Sequence, residues 1–499
     1  MAPSTSAHWD DLGKETAATS RPALKARNGA ALLPDLAGVA GLLTFLYVLF
    51  FYQGYTRLFR DSDAGWHIRS GEAILRDRTL PRQDPYSFSR AGEPWMNWEW
   101  LADLASGAAH WAAGPAGVAV LYSAAIALAV WLWFRLHWRL GTNFLLAAAF
   151  AVPLLGTLNL HWLARPHVWG WVLLLAALHL LESEPSPRRL VAYVALSALW
   201  ANVHGSFLLA PLLALVYAQP RAALLSAAAT FLNPYGWNLH RHVFTYLTNR
   251  DLLASVGEFQ SFNFHVAGSG QILLTLAVAA AGTTLALYHG RWNHFLLGAL
   301  LLAGALRSAR GLPLVALALL PIAGAHLEIP DALRRWLTAA RDYGNRLRDL
   351  DRQAGAWKFA PLLLIAAVLS VASIRPRAGF PASEFPVAAA AQLPSLAPEL
   401  FRGEGRLLAP DKFGGYLIYR FQGRLKVFFD GRSDFYGSGF LDEWRRLAQV
   451  RPGWGALVEK HRFTHALLPN DYSLVEALQR AGWTILYRDN TVTLLRWKV

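Results

Sequence analysis

Long runs of uncharged residues limit the fold of this chain more than any other feature of its sequence. Each run approaches the roughly 20 residues that an α-helix needs to cross a bilayer. Clear examples are residues 36–51, 118–134, 143–160, 168–181 and 272–288. With 54% of its residues hydrophobic and 16% charged, the whole chain has the composition of a membrane protein. The sequence therefore predicts an α-helical polytopic membrane protein with about eleven transmembrane helices.

Basic residues indicate which ends of these helices face the cytoplasm, because Lys and Arg are enriched in cytoplasmic loops. One membrane topology of the predicted helices places all the basic loops on the same side, namely residues 135–142, 182–189, 219–221, 289–293 and 328–358. Residues 1–33 lie on the same side, and they are predicted to form a disordered cytoplasmic tail. The C-terminus is then extracytoplasmic. We expect a multi-pass protein of the bacterial inner (plasma) membrane, with the lipid bilayer as its first partner.

The same predicted topology divides the rest of the chain into two domains. A transmembrane domain covers residues 34–376, with outer loops at 57–117 and 233–271. Within the first of these loops, residues 95–111 carry charges among several tryptophans and are predicted to lie on the outer membrane surface. The remaining residues, 377–499, are predicted to form a soluble extracytoplasmic α/β domain.

Short alternating runs in this last region predict its strands. The runs are residues 416–420, 425–429, 464–468 and 492–497. Helical patterns separate them at residues 439–449 and 473–481. Another prediction concerns Asp430, which is expected to accept hydrogen bonds from turn amides at the end of a strand.

Acidic residues and a histidine follow the first predicted helix at the outer surface. Asp61, Asp63 and His67 are close together in the sequence, and carboxylates with this spacing can hold Mg²⁺ or Mn²⁺. The alternative is that an aspartate caps the helix expected to begin near Trp66, since Asp is a preferred N-cap residue. The spacing alone leaves both interpretations open.

Other candidate site residues lie at predicted outer ends. Glu258 is an acid among apolar residues, which suits either a metal ligand or a solvated loop. Arg307 and Arg310 could bind a phosphate, although arginines also extend toward lipid headgroups. His167 and His204 are candidates for substrate binding, with an interfacial position as the alternative.

Several classes of function lack support in the sequence. The formal net charge is +14, yet no zinc spacing, aromatic RNA-binding pattern or basic recognition helix accompanies it, so we expect no nucleic-acid partner. The chain has no Walker loop, nucleophile elbow or HExxH motif. It also has no cysteine and therefore no disulfide.

These scattered motifs resemble those of the catalytic subunit of oligosaccharyltransferase, a member of the C-type glycosyltransferases that use lipid-linked sugars. Asp61, Asp63 and Arg69 fall on the positions of that family's acid-x-Asp-Pro-x-Phe-Asn-x-Arg segment. The Ser-Val-Gly-Glu sequence ending at Glu258 resembles its SVSE-type loop. Residues 411–416 and 426–432 are similar to its WWDYGY element and the strand that follows.

Two departures from the family pattern affect its expected specificity. Asp411, Lys412 and Phe413 stand where the family has Trp-Trp-Asp, which reads the glycosylation sequon. The acidic pair of the family's second outer loop is absent around residues 165–167, where this chain has Arg-Pro-His. The resemblance therefore implies a related scaffold without sequon recognition.

The function implied by the resemblance is an inverting membrane glycosyltransferase of the cell envelope. It would transfer a sugar from a polyprenyl phosphate or pyrophosphate donor to an acceptor on the outer face. The resemblance, together with the histidines at predicted outer positions, gives the following site, listed by role. Asp61, Asp63 and Glu258 would hold Mg²⁺ or Mn²⁺ and carry catalysis, and Arg69, Arg307, Arg310, His67, His167 and His204 would bind substrate. Two alternatives remain open: a non-catalytic binding or assembly protein of the envelope, and a polytopic transporter.

Overall fold

The computed structural model describes residues 34–327, 331–354 and 358–497. The tail predicted at residues 1–33 lies outside this range. The membrane-associated part contains the helices α1 (Leu36–Phe50), α2 (Asp63–Asp77), α3 (Trp100–Leu140), α4 (Phe144–Leu158), α5 (His167–Leu181), α6 (Pro187–Ala201), α7 (Leu209–Val216), α8 (Pro220–Ala229), α9 (Trp237–Thr248), α10 (Arg250–Ser255), α11 (Ser269–Tyr288), α12 (Trp292–Arg307), α13 (Leu312–His326), α14 (Asp331–Gln353) and α15 (Phe359–Ile374).

The C-terminal part combines further helices with a small sheet. Its elements are α16 (Val387–Leu396), α17 (Glu399–Arg402), β1 (Leu407–Leu408), α18 (Asp411–Phe421), α19 (Ser433–Ala448), α20 (Trp454–His461), β2 (His465–Pro469), α21 (Ser473–Arg480), β3 (Thr484–Arg488) and β4 (Val492–Arg496). The strand order is β1-β2-β4-β3, with β1 and β2 parallel and the other pairs antiparallel.

Within the described residues, four helical segments have the length and apolar composition to cross a membrane. They are Trp100–Leu140, Phe144–His161, Ser269–Tyr288 and Ala309–His326. Other apolar helices, such as α1, α5 and α15, are shorter. A helix of 15 residues is about 22 Å long, against a hydrocarbon core of about 30 Å. The chain is therefore an integral membrane protein, and the predicted count of about eleven spans remains a prediction.

Helix α3 has two arms. Ala113 and Gly114 leave the helical conformation, and Pro115 begins the second arm, which enters the apolar core. The first arm includes most of the segment predicted to lie on the membrane surface. It packs against α2 so closely that a Cβ added at Gly71 would lie 1.8 Å from the carbonyl oxygen of Asp103. Only glycine allows this contact between the two backbones.

The C-terminal domain confirms two predicted strands and corrects two others. Residues 464–468 and 492–497 correspond to β2 and β4. Residues 416–420 were predicted to be a strand but lie in α18, which begins directly after Pro410. Tyr416, Leu417 and Ile418 are all buried, and a short apolar run of this kind does not distinguish a buried helix from a strand. Residues 425–429 contribute only an isolated bridge between Val427 and Ser87.

Glycines bring the C-terminal domain directly against α2. A Cβ added at Gly65 would lie 2.2 Å from the carbonyl oxygen of Gly415. One added at Gly431 would lie 1.9 Å from Oδ1 of Asp63. This glycine seam, formed by Gly65, Gly415 and Gly431, positions the domain over the acidic residues at the start of α2.

Candidate functional site

A cavity of about 1090 Å³ lies between the membrane helices and the C-terminal domain. The chain segments that surround it include the start of α2, the loop before α5, the segment Gly257–Phe259 and the start of α18. Most of the site residues predicted from the sequence line this cavity: Asp61, Asp63, His67, His167, His204, Glu258 and Arg310.

Arg165 connects three of these acids. Its Nη1 lies 2.7 Å from Oδ2 of Asp61 and 2.9 Å from Oε1 of Glu258, and its Nη2 lies 2.9 Å from Oδ2 of Asp63. The Arg165 side chain is only 17% exposed, so its ion pairs are shielded from water. We call Arg165, Asp61, Asp63 and Glu258, together with Arg310, the charged cluster.

Arg310 binds the other side of Glu258. Its Nε donates a hydrogen bond to Oε2 of Glu258 at 2.6 Å, and its guanidinium lies 4.5 Å from the ring centre of Phe259. Burial opposes ionisation of Glu258, but Arg165 and Arg310 lower the pKa of its carboxyl well below the usual range. Glu258 is therefore an anion that two guanidinium groups hold in place.

Asp63 is more deeply buried than the other acids of the cluster, with 6% of its surface exposed. Burial raises the pKa of its carboxyl to about 7, and the charge of Arg165 opposes this increase. The structure also answers the question of helix capping. Ser62 occupies the N-cap position of α2, and Asp61 accepts a hydrogen bond from the backbone N–H of Asp63 at 2.8 Å. The side chain of Asp63 is thus available to the cavity.

A second polar group lies on the α3 side of the cavity. Nδ1 of His67 lies 2.6 Å from Oδ1 of Asp103, and Nε2 lies 3.9 Å from Oε2 of Glu99. His204 approaches the other oxygen of Glu99 at 3.6 Å. Burial and the nearby Asp103 raise the pKa of Glu99 to about 8. Asp103 therefore fixes His67, whereas His204 is held by the Ser206 hydroxyl, 2.7 Å from its Nδ1.

Two predicted substrate-binding arginines lie outside the cavity lining. Arg69 donates two hydrogen bonds to the carbonyl oxygen of Tyr419, at 2.9 and 2.7 Å, and pairs with Glu72. It therefore joins α2 to α18. The Arg307 side chain is exposed at the end of α12. No contact in the described structure brings either arginine to the charged cluster.

The carboxylates predicted as metal ligands do not fit a divalent cation as they are arranged. Each of Asp61, Asp63 and Glu258 has an oxygen within 2.9 Å of Arg165. A divalent ion placed among them would face the positive charges of Arg165 and Arg310. Among the described residues, no group of three or more His, Asp or Glu side chains is arranged to hold a metal ion.

The opposite wall of the cavity is largely apolar. Leucines from α7, α12 and α13 form it, namely Leu209, Leu212, Leu300, Leu301 and Leu314. Leu212 and Leu300 are 37% and 40% exposed. An apolar wall beside charged groups suits a ligand with a hydrocarbon part and an anionic part.

The C-terminal residues at the cavity include Asp434, which the sequence did not single out, and Asp411 and Lys412, which it identified as departures from the family pattern. Asp434 receives a hydrogen bond from His242 of α9 at 2.9 Å, and both residues are held at the domain boundary. Asp411 and Lys412 line the cavity, and Nζ of Lys412 lies 2.8 Å from Oε2 of Glu384. Arg165 has one signal in the sequence, namely that a basic residue stands where the oligosaccharyltransferase family has acids.

The helices and the cavity together describe an integral membrane protein whose candidate site lies between its membrane helices and its C-terminal part. Comparison with known proteins adds one finding about its fold. The chain matches the crystal structure of the oligosaccharyltransferase from Archaeoglobus fulgidus in the apo form, with a TM-score of 0.55 and 12% identity. The match covers 87% of this chain and 69% of that one. No protein-family model and no curated protein matches the sequence. The predicted resemblance is therefore confirmed at the level of the fold.

Proposed function

We propose that this protein is a membrane glycosyltransferase that uses a lipid-linked sugar phosphate or pyrophosphate as donor. One observation carries the proposal: a single cavity joins an apolar leucine wall to a charged cluster that contains both carboxylates and guanidinium groups. The first surface suits a polyprenyl chain, and the second suits a phosphate and a reacting hydroxyl. The fold shared with an oligosaccharyltransferase supports the same class of reaction.

Each group in the cavity has a proposed task. The leucine wall binds the hydrocarbon chain. Arg310, whose side chain is 35% exposed, binds the phosphate through guanidinium N–H groups that Glu258 does not use. His167 and His204 line the space between these surfaces and contact the sugar.

Asp63 is the proposed base for transfer. The oxygen of an acceptor hydroxyl forms a bond to the anomeric carbon, and the bond from that carbon to the phosphate oxygen breaks. The electron pair of the broken bond leaves with the phosphate, and Asp63 accepts the proton of the hydroxyl. Attack opposite to the leaving phosphate inverts the anomeric configuration. The position of the buried Asp63 carboxyl at the cavity, beside Arg165, supports this role.

The acceptor is proposed to be something other than a peptide sequon. Lys412 occupies the position at which the oligosaccharyltransferase pattern has an aromatic residue, and it pairs with Glu384 at the cavity. A cationic side chain there would favour an acceptor that carries negative charge.

The direct test is transfer from a pool of radiolabelled lipid-linked sugars by the purified protein in nanodiscs. We expect label to move from the organic phase to an acceptor fraction only when the protein is present. Binding of labelled donor without any transfer would contradict the enzyme proposal and favour a non-catalytic binding protein. Movement of intact donor across a sealed membrane would favour a transporter.

The proposed site requires the cavity to lie on the extracytoplasmic side. We expect an alkaline phosphatase reporter, active only outside the cytoplasm, to show activity when fused after Asp84 or Glu258. A fusion after Arg189 should remain inactive, because the basic loop at residues 182–189 is predicted to be cytoplasmic. The reverse pattern would contradict both the sidedness and the use of an extracytoplasmic acceptor.

A further inference from the structure

The three carboxylates that the sequence suggested as metal ligands already share one cation, and that cation is a side chain. Asp61 and Asp63 come from the segment after α1, and Glu258 comes from the segment after α10. All three meet Arg165, which belongs to the loop before α5. Such a gathering of acids would repel itself without a positive charge at its centre.

The backbone holds Arg165 firmly in this central position. The N–H of Arg165 donates to the carbonyl oxygen of Leu163 at 2.9 Å, and the N–H of Ala164 donates to Leu58 at 2.9 Å. Pro166 follows directly and is the N-cap residue of α5. The guanidinium therefore projects from a loop that is fixed to two neighbouring parts of the membrane domain.

The chemistry of guanidinium matches the task that a metal ion would have in such a cluster. Nη1 donates hydrogen bonds to both Asp61 and Glu258, and Nη2 lies 2.9 Å from Oδ2 of Asp63 as an ion pair. The Nε hydrogen is not used by these acids, and Nη2 has two hydrogens for its single acidic neighbour. These N–H groups are donors of a kind that binds phosphate oxygens.

We propose that Arg165 replaces a divalent cation in this protein, so that the charged cluster works without a metal ion. Arg165 gathers the carboxylates of Asp61, Asp63 and Glu258, and its remaining N–H groups, with those of Arg310, neutralise the departing phosphate. The part of this proposal that concerns phosphate rests on the proposed function. The part that concerns cation replacement does not, because it can be measured by metal binding alone.

The test measures Mn²⁺ binding to the full-length protein in detergent, by the loss of the electron paramagnetic resonance signal of free Mn²⁺. The wild-type protein is expected to bind no Mn²⁺ at the cluster at millimolar concentrations. Arg165→Gln removes the central charge and leaves the carboxylates in place, so it should bind Mn²⁺ at least about tenfold more tightly than wild type. The double variant Arg165→Gln/Asp63→Asn should lose this gain.

Matched variants separate charge from structure. Arg165→Lys keeps a positive charge but lacks the planar guanidinium group with its several N–H donors. This variant should bind no Mn²⁺ and should lose transfer activity. Arg250→Gln removes an exposed arginine at the start of α10, outside the cavity lining, and should change neither measurement. Elution as a single species and a cooperative thermal transition would establish that each variant is folded.

Two results would overturn the proposal. One is a wild-type Mn²⁺ site that disappears in Asp63→Asn, a comparison that remains decisive if Arg165→Gln does not fold. The other is a folded Arg165→Gln protein that gains no Mn²⁺ binding. Transfer by the wild type should persist in excess chelator, and Mn²⁺ should restore part of the activity of Arg165→Gln. If no transfer occurs under any condition, the proposed function fails, and the Mn²⁺ measurements still decide the role of Arg165.

Discussion

Replacing Asp63 with Asn should lower the rate of sugar transfer by about 10³-fold or more, while the protein inserts and folds as before. Asn keeps the size of the side chain but cannot accept a proton from the acceptor hydroxyl. It also removes the charge that lies 2.9 Å from Nη2 of Arg165. The fold should tolerate the change, because the backbone N–H of Asp63 is bound by Asp61 and its side chain does not cap α2.

Initial rates of transfer in nanodiscs would measure this effect at a fixed donor concentration. Asp77→Asn is the matched control, since Asp77 lies at the end of the same helix with 49% of its side chain exposed. That variant should transfer sugar at the wild-type rate. Wild-type transfer by Asp63→Asn would exclude Asp63 as the base and shift attention to Glu99, another acid at the cavity wall.

Replacing Arg432 with Gln should destabilise the protein by about 3–5 kcal/mol, because it leaves two buried carboxylates unpaired. Nη2 of Arg432 lies 2.7 Å from Oδ1 of Asp84 and 2.7 Å from Oδ2 of Asp430, and all three side chains are almost completely buried. Its guanidinium also lies 4.6 Å from the ring centre of Trp95. This residue therefore joins the C-terminal domain to the first outer loop.

Thermal unfolding in detergent, with the intrinsic tryptophan fluorescence as signal, would measure the loss. Arg446→Gln is the control, because Arg446 is 54% exposed and its pair with Asp442 is a surface ion pair worth about 0–1 kcal/mol. Equal transition temperatures for Arg432→Gln and wild type would contradict a structural role for the buried pairs.

Asp430 illustrates what short-range sequence patterns can predict. Asp430 was expected to bond a turn amide, and its Oδ1 accepts a hydrogen bond from the N–H of Arg432 at 3.1 Å. The interaction spans two residues, so the local pattern contains all the information that it needs. The apolar runs predicted membrane helices for a similar reason, because the hydropathy of a segment depends only on the residues within that segment.

Arg165 illustrates what the sequence did not reveal. Its partners Asp61 and Glu258 come from distant segments, and only the packing of the membrane helices brings them together. The sequence predicted that these acids would lie close together, but it indicated a metal ion, and not an arginine, as the cation that balances their charge. It showed only that residue 165 departs from an acidic pattern. Whether a basic residue at such a position lies in solvent or inside the site depends on tertiary structure.

The glycine seam has a consequence for the order in which the protein is made. Asp63 leaves the ribosome early, whereas Gly431, which closes over it, is synthesised only after the membrane helices. The segments from α1 to α15 are therefore synthesised before the part of the chain that covers Asp63. The cavity can be complete only after the C-terminal residues that line it, such as Asp430 and Arg432, have been synthesised.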